Sequence, residues 1–247
     1  ATFQAMEALV PSYVDRAGNR AAEAAKSAMA AIAGGRDPRA FGGLNLLERI
    51  ESYYNPANGR YHDTWLFRHD LAILALHDAG VTAPEAARQT LVDEQHESGG
   101  WGWAFGATIS DIDSTGLTMY ALAQAGYPLD GPAYVDAGEF IDSRQFDDGS
   151  LPDRAGAEAG NANSAALAMR GLLASAQDPR EAPFLQMTAD GRLVSLLDAL
   201  LTFQEDSGAF IFTVENPESR RLAVLDSVPT LAMDFPAYAS VTQPDRT

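Results

Sequence analysis

Ser98-Gly99-Gly100-Trp101-Gly102-Trp103, followed from Asp111 to Gly126 by an Ala- and Leu-rich stretch, is one of four copies of a single phrase. Asn58-Gly59-Arg60-Tyr61 precedes Thr64 to Gly80, Asp148-Gly149-Ser150-Leu151 leads to Asn161 through Ala176, and Ser207-Gly208-Ala209-Phe210 leads to Arg220 through Met233. The turn glycines Gly59, Gly100, Gly149 and Gly208 stand 41, 49 and 59 residues apart, so the repeat is a helical hairpin with connectors of variable length. Within the copies, Leu71, Leu74 and Ala75, and again Leu117, Tyr120 and Ala121, recur at three and four residues and share one helix face. Gly80 and Gly126 follow these helices where a left-handed cap costs glycine little. Glu85 to Glu94, Ala133 to Arg144 and Arg192 to Gln204 are also helical in period, with Pro84 and Pro132 near two of the starts. Strand signals are scarce, and the best is Ala209 to Val214.

A helical hairpin cannot bury its own apolar face, so hairpins of this kind stack side by side. Curved into a ring they form an all-α fold, an α/α toroid, with inner helices around a core or cavity and outer helices toward solvent. The small residues Ser164 to Ala168 suit the crowded inner ring. The expected organisation is one toroid over residues 1–247, with repeats at roughly 40–80, 84–126, 132–176 and 189–235. The Ala-rich 3–34, broken near Gly18, reads as a further, degenerate hairpin.

Composition excludes several classes. With 17 Lys+Arg against 34 Asp+Glu the formal charge is −17, and the densest basic dipeptide is Arg220-Arg221, so no nucleic-acid partner is expected. Without cysteine there is no disulfide, thiolate nucleophile or Cys-ligated zinc. The longest apolar runs, such as Leu71 to Leu76, fall far below the roughly 18 residues that span a bilayer, so no membrane insertion is expected. His62 and His69 are too differently placed to form a metal pair, and neither a phosphate loop nor a nucleophile elbow is present. The chain opens at Ala1 without a basic-then-apolar leader, as a processed exported chain does, and an extracellular or cell-surface address is expected.

Polar residues recur where each inner helix is expected to begin: Asp63 with His69 and Asp70, Asp111 with Asp113 and Ser114, Asn161 with Asn163 and Ser164, and Asp226 with Ser227. In a toroid these positions fall on one rim, where a few donors and acceptors orient a ligand resting on apolar walls. The same residue types are ordinary helix N-caps, so both readings stand at this point. Tyr61, Trp101 and Trp103 are candidate walls, or core. Asp111 and Asp113 form a carboxylate pair, and a buried carboxylate beside a like charge holds its proton to higher pH and can act as an acid.

The repeats resemble the α/α-toroid superfamily of terpene cyclases, protein prenyltransferases and the cobalamin carriers intrinsic factor and transcobalamin. Gln95 to Trp101 (QHESGGW), Gln145 to Leu151 (QFDDGSL) and Gln204 to Phe210 (QEDSGAF) look like the glutamine-to-aromatic motif of squalene–hopene cyclases, in which the Gln braces a helix end. Asp111 to Leu122 (DIDSTGLTMYAL) and Ser227 to Val241 (SVPTLAMDFPAYASV) are closest to the carriers' inner helices and the end of their α-domain.

The resemblance implies different functions along its branches. Asp111-Ile112-Asp113-Ser114 overlaps the Asp-x-Asp-Asp motif of class II cyclases, which puts the proton donor at Asp113, with Ser114 where the motif ends in Asp. The missing Cys ligand argues against prenyltransferase zinc. By the carrier resemblance, Asp111, Ser114 and, by repeat equivalence, Asn163 contact a corrin, so cobalamin is the ligand the resemblance implies. The expectation is an exported bacterial toroid that binds a small amphipathic ligand at its polar rim and acts beside a downstream domain of a longer surface protein. A class II cyclase-like enzyme with Asp113 as its acid is the alternative, and a structural scaffold with a filled centre is the second.

Overall fold

A computed structural model of the chain describes residues 2–213 and 220–235. Among these, ten α-helices account for almost all regular structure: α1 Thr2–Val14, α2 Ala21–Ala33, α3 Leu46–Glu51, α4 Leu66–Asp78, α5 Glu85–Asp93, α6 Ile112–Gln124, α7 Pro132–Asp142, α8 Ala162–Ala174, α9 Leu196–Leu201 and α10 Arg221–Leu231. The even-numbered helices pack in sequence, α2 on α4, α4 on α6, α6 on α8 and α8 on α10, and form the inner row. The odd-numbered helices pack outside, α1 and α3 on α2, α5 on α6, α7 on α6 and α8, and α9 on α8. This is the α/α toroid. No described helix is long and apolar enough to cross a membrane.

The inner row is close-set because its residues are small. Ala162, Ala165, Ala166 and Ala168 of α8 are fully buried, as are Ala21, Ala24, Ala25, Ala28 and Ala31 of α2. Gly116 of α6 lies against the α8 backbone, where a Cβ would stand 2.2 Å from the Leu167 carbonyl oxygen. Gly171 of α8 lies against Gly116 in return.

Each hairpin turns on a left-handed glycine, and in the first three copies it is pressed against the next outer element, whereas Gly208 in the fourth is open. Gly59 (φ +70°) abuts the Ala86 carbonyl and Gly99 (φ +88°) the Asp136 carbonyl, positions where a Cβ has no room. In the second copy the left-handed residue is therefore Gly99, one before the Gly100 used in the sequence spacing. Gln95 secures that turn: its Nε2 donates to Gly99 O (2.6 Å) and to Ala133 O (2.9 Å) in the first turn of α7. Gln145 repeats the pattern with Gly149 O and Phe184 O, whereas the exposed Gln204 reaches only Gly208 O at 3.2 Å. Removing a half-buried donor that serves two carbonyls strands both acceptors, so Gln95→Ala is expected to cost about 2 kcal/mol and Gln204→Ala much less. Urea unfolding of the two variants checks the order.

After α4 and α6 the chain leaves through Gly80 (φ +71°) and Gly126 (φ +78°). After α8 the equivalent residue is Ala176, at φ +60° the one described non-glycine residue with positive φ. A Cβ in that region costs roughly 1–2 kcal/mol, so Ala176→Gly is expected to stabilise by about 1 kcal/mol and raise Tm by about 2–4 °C in calorimetry.

Two expectations about secondary structure are corrected. The helical period from Arg192 is interrupted: β1 Leu185–Met187 pairs antiparallel with β2 Leu193–Ser195, and α9 begins only at Leu196. Asp190-Gly191 makes the hairpin turn, with Gly191 at φ +82° and Gly191 N–H donating to Thr188 O, and Ser195 then caps α9 reciprocally with Asp198. Of the β-like run Ala209 to Val214, Phe210 makes an isolated bridge with Gln204, and Val214 lies outside the described residues. Asp226 and Ser227 are in the middle of α10, not before it, because the helical period runs back to Arg221. Residues 236–241 of the carrier-like ending also lie outside the described residues.

Candidate functional site

The rim is built from the starts of α6 and α8. Asp111 caps α6 from extended backbone, Oδ1 accepting Ser114 N–H (2.7 Å) and Oδ2 accepting Ser114 Oγ–H (2.9 Å). Asn161 caps α8 in the same way through Ser164 N–H (2.9 Å). Its amide Nδ2 donates to Ser164 Oγ (3.0 Å), and the serine's own proton is thereby directed across the inner row to Asp113 Oδ1, 2.6 Å away. The cap reading thus holds for Asp111 and Asn161, while Asp113 is free of capping and joined to the neighbouring helix.

The ladder continues to α10. Asn163 Nδ2 donates to Asp226 Oδ2 at 2.6 Å, leaving Asn163 Oδ1 buried without a partner among the described residues. Arg170 donates to Asp226 O (2.8 Å) and Thr230 Oγ1 (3.2 Å), and its guanidinium stands 5.9 Å from the Tyr120 ring. Asp111 with Ser114, Asp113 with Ser164, and Asn163 with Asp226 are therefore three neighbouring hydrogen-bonded groups, and Asp113 feels the charges of Asp111 and Asp226, despite the misplaced start of α10.

Asp113 is the chemically distinctive member. Burial pushes its pKa up to about 7; the Ser164 hydroxyl opposes this, and the charges of Asp111, Asp153 and Asp226 add to it. Burial also raises Asp111, against the Ser114 bonds, and Asp226, against Arg170 and Asn163. From Asp113, Leu117 and Tyr120 follow at four and seven residues on α6, and from Asn163, Leu167 and Arg170 follow at the same intervals on α8. All four are half-buried, so the acid stands at the start of a largely apolar face shared by α6 and α8.

The other candidates are placed elsewhere. Asp63 is exposed in the loop before α4. His69 lies in the core, Nδ1 accepting Tyr61 N–H (3.2 Å) and Nε2 donating to Ala87 O (3.0 Å); burial lowers its pKa to about 4, so it is neutral. Asp70 is fully buried between α4 and α6 and accepts Thr118 Oγ1–H (3.0 Å), and desolvation raises its pKa well above the ordinary carboxylate value, with the Thr118 bond opposing. Tyr61 and Trp101 are core residues, Trp101 donating Nε1–H to Leu91 O at 2.7 Å, so neither forms a ligand wall. Trp103 is 54% exposed and stacks on Trp65 at 4.5 Å.

Trp65, Phe67, Asp153 and Arg170 complete the picture and were not singled out in the sequence. Trp65 occupies in α4 the cap position that Asp111 and Asn161 hold in α6 and α8, and Phe67 the position of Asp113 and Asn163. Repeat equivalence is the signal that could have found Trp65 and Phe67. Among the described residues no group of three His, Asp or Glu side chains forms a metal site.

No protein-family model matches the chain, and no curated protein matches it. Among solved structures the chain is similar to the type II terpene cyclase MstE from Scytonema in its apo form, with TM-score 0.56 and 16% identity over 84% of this chain and 66% of that one. It is similarly close to a point variant of that enzyme, with TM-score 0.56 and 15% identity over 85% of this chain and 64% of that one. At this identity the likeness is one of fold alone: the chain shares the helical toroid with those enzymes. The chain spans just under two thirds of the length of those enzymes. The matches do not bear on the cobalamin carriers.

Proposed function

We propose that this face of α6 and α8 is a class II terpene-cyclase-like site in which Asp113 protonates an unsaturated hydrocarbon chain. The observation that carries this reading is Asp113 itself: burial and three nearby carboxylates keep its proton near neutral pH, and the Ser164 hydroxyl engages Oδ1. Oδ2 is then the oxygen that bears the transferable proton. As the proton leaves for an alkene carbon, the O–H bond pair stays on Asp113, and the Ser164 bond strengthens on the carboxylate. Leu117, Tyr120 and Leu167 supply an apolar surface for the chain, and the Tyr120 ring offers a π-face to developing positive charge.

The test is incubation of the protein with linear polyprenyl substrates in D2O, followed by mass spectrometry. Wild type is expected to yield cyclic product with one carbon-bound deuterium, and Asp113→Asn none. No cyclic product from wild type, or undiminished product from Asp113→Asn, overturns the reading. Activity requires the protonated acid, so it should fall as pH rises through about 7. Asp111→Asn, which keeps the cap but removes a neighbouring charge, should move that fall to lower pH.

A second reading is favoured by Ser114, which stands where the cyclase motif ends in Asp and gives its hydroxyl to Asp111. Under it the rim orients a small amphipathic ligand without chemistry, the cobalamin-like ligand of the carrier resemblance included. Saturable binding of cobalamin, followed by its absorbance and weakened by Asn163→Ala, together with absence of cyclic product, would support it over the first.

A further inference from the structure

A groove of about 530 Å³ lies where the inner row ends, lined by α1, α2 and the start of α10. It lies apart from the rim: none of the residues of the Asp113 array lines it. Its apolar lining is Met6, Leu9, Val10 and Tyr13, and its charged lining is Arg16, Lys26 and Arg221, with no Asp or Glu among the described residues. In a chain with twice as many acids as bases, three cations lining one groove with no described carboxylate beside them is a local reversal of the protein's charge.

These cations are also unspent. Among the described residues, Arg16, Lys26 and Arg221 take part in no ion pair, whereas nearby Arg20 and Arg68 are engaged by Glu23 and Arg49 by Asp15. Arg16 gives only Nε to Ser12 O. The groove's serine hydroxyls are occupied inside their own helices, Ser12 by Leu9 O and Ser27 by Glu23 O. The donors open to a ligand are therefore the three cations and the Tyr13 phenol, and the surface beside them is apolar, with Leu9 65% exposed.

We infer that this groove binds a single-chain amphiphile carrying a phosphate head, a hydrocarbon tail lying along Met6, Leu9 and Tyr13 and the head held by Arg16, Lys26 and Arg221. A phosphate monoester offers up to two negative charges and three terminal oxygens, which three cations match better than the single charge of a carboxylate. The tail removes from water apolar side chains that the fold leaves partly uncovered. This site stands independently of any chemistry at Asp113.

Dodecyl phosphate below its micelle concentration is the probe, measured by titration calorimetry with the intact chain. Saturable binding at one site is expected, weakening as salt rises. Lys26→Glu combined with Arg221→Glu should weaken it at least tenfold, Leu9→Asp should also weaken it, and Asp113→Asn should leave it unchanged. Lys26 and Arg221 are exposed, so circular dichroism should show the variants folded. Equal binding of dodecyl maltoside, or indifference to the charge reversals, would mean the cations do not recognise the head and overturns the proposal. Loss of binding in Asp113→Asn places the amphiphile on the α6–α8 face beside Asp113 and overturns it as well. So do binding only to phosphatidylglycerol vesicles, which marks a membrane surface, and a dimer in sedimentation velocity that the Leu9→Asp variant dissolves.

Discussion

Asp113→Asn is expected to be more stable than the wild type at pH 8 and hardly different at pH 4. The folded pKa of Asp113, about 7, lies above its ordinary value of 3.8. Such a group contributes its full stability below the unfolded pKa, and that contribution is lost as pH rises through the folded one. The interval corresponds to roughly 4 kcal/mol, an upper figure because relaxation around the ionised acid lowers it. Asparagine reproduces the size of the neutral acid and still offers Oδ1 to the Ser164 hydroxyl. The difference in unfolding free energy should therefore open from near zero at pH 4 toward about 4 kcal/mol at pH 8. Urea titrations at several pH values measure it, and a difference that stays constant with pH would refute the protonated Asp113.

The variant pair is needed because the wild type alone conceals the effect. His69 acts in the opposite sense: its folded pKa, about 4, lies below 6.5, so the stability it contributes is present above pH 6.5 and lost as pH falls toward 4. Between these values the two slopes offset each other, and the buried Asp70 adds a further decline as pH rises. Both groups are common to the two proteins and cancel in the difference. A stabilising Asp113→Asn that also abolishes product formation would be the mark of a carboxylate retained for function at a cost in stability.

What was legible in the sequence was local. Apolar spacing, the caps Asp111 and Asn161 and the glycines Gly80 and Gly126 each act within a turn or two of chain, and they locate the inner helices. The hairpin at Leu185–Ser195 was missed because a helical period in Leu196–Leu201 was extended backward over residues that an Asp-Gly turn commits to a strand. The site was legible only through repeat equivalence: Ser164 reaches Asp113 across 51 residues and Asn163 reaches Asp226 across 63. Burial was the quantity out of reach. His69 and Asp70 follow Asp63 closely, yet they enter the core while Asp63 stays in water. Trp101 and Trp103 are two residues apart, and the first is buried against Leu91 while the second stacks outward on Trp65.

Gly116→Ala should couple the fold to the site more severely than its size suggests. In an isolated helix the change gains about 1 kcal/mol. Here the new Cβ would stand 2.2 Å from Leu167 O, 2.4 Å from Leu167 C and 2.7 Å from Ala168 N. These are backbone atoms, so no rotamer change relieves the overlap, and α6 and α8 must separate. Overpacking of this kind costs typically 1–3 kcal/mol and more where backbone must move, so a net loss of about 3 kcal/mol is expected after the helical gain. For a domain of this size that lowers Tm by about 6–12 °C. The separation also lengthens the 2.6 Å bond from Ser164 to Asp113, three residues above, and removes the partner that steadies the departing carboxylate. Gly116→Ala should accordingly lose product formation even at temperatures where it remains folded, whereas Ala176→Gly, at the far end of α8, should gain stability and leave the site untouched. Calorimetry with product analysis at about 20 °C checks both, and a Gly116→Ala protein as stable and as active as the wild type would mean that α6 and α8 do not meet as closely as this contact requires.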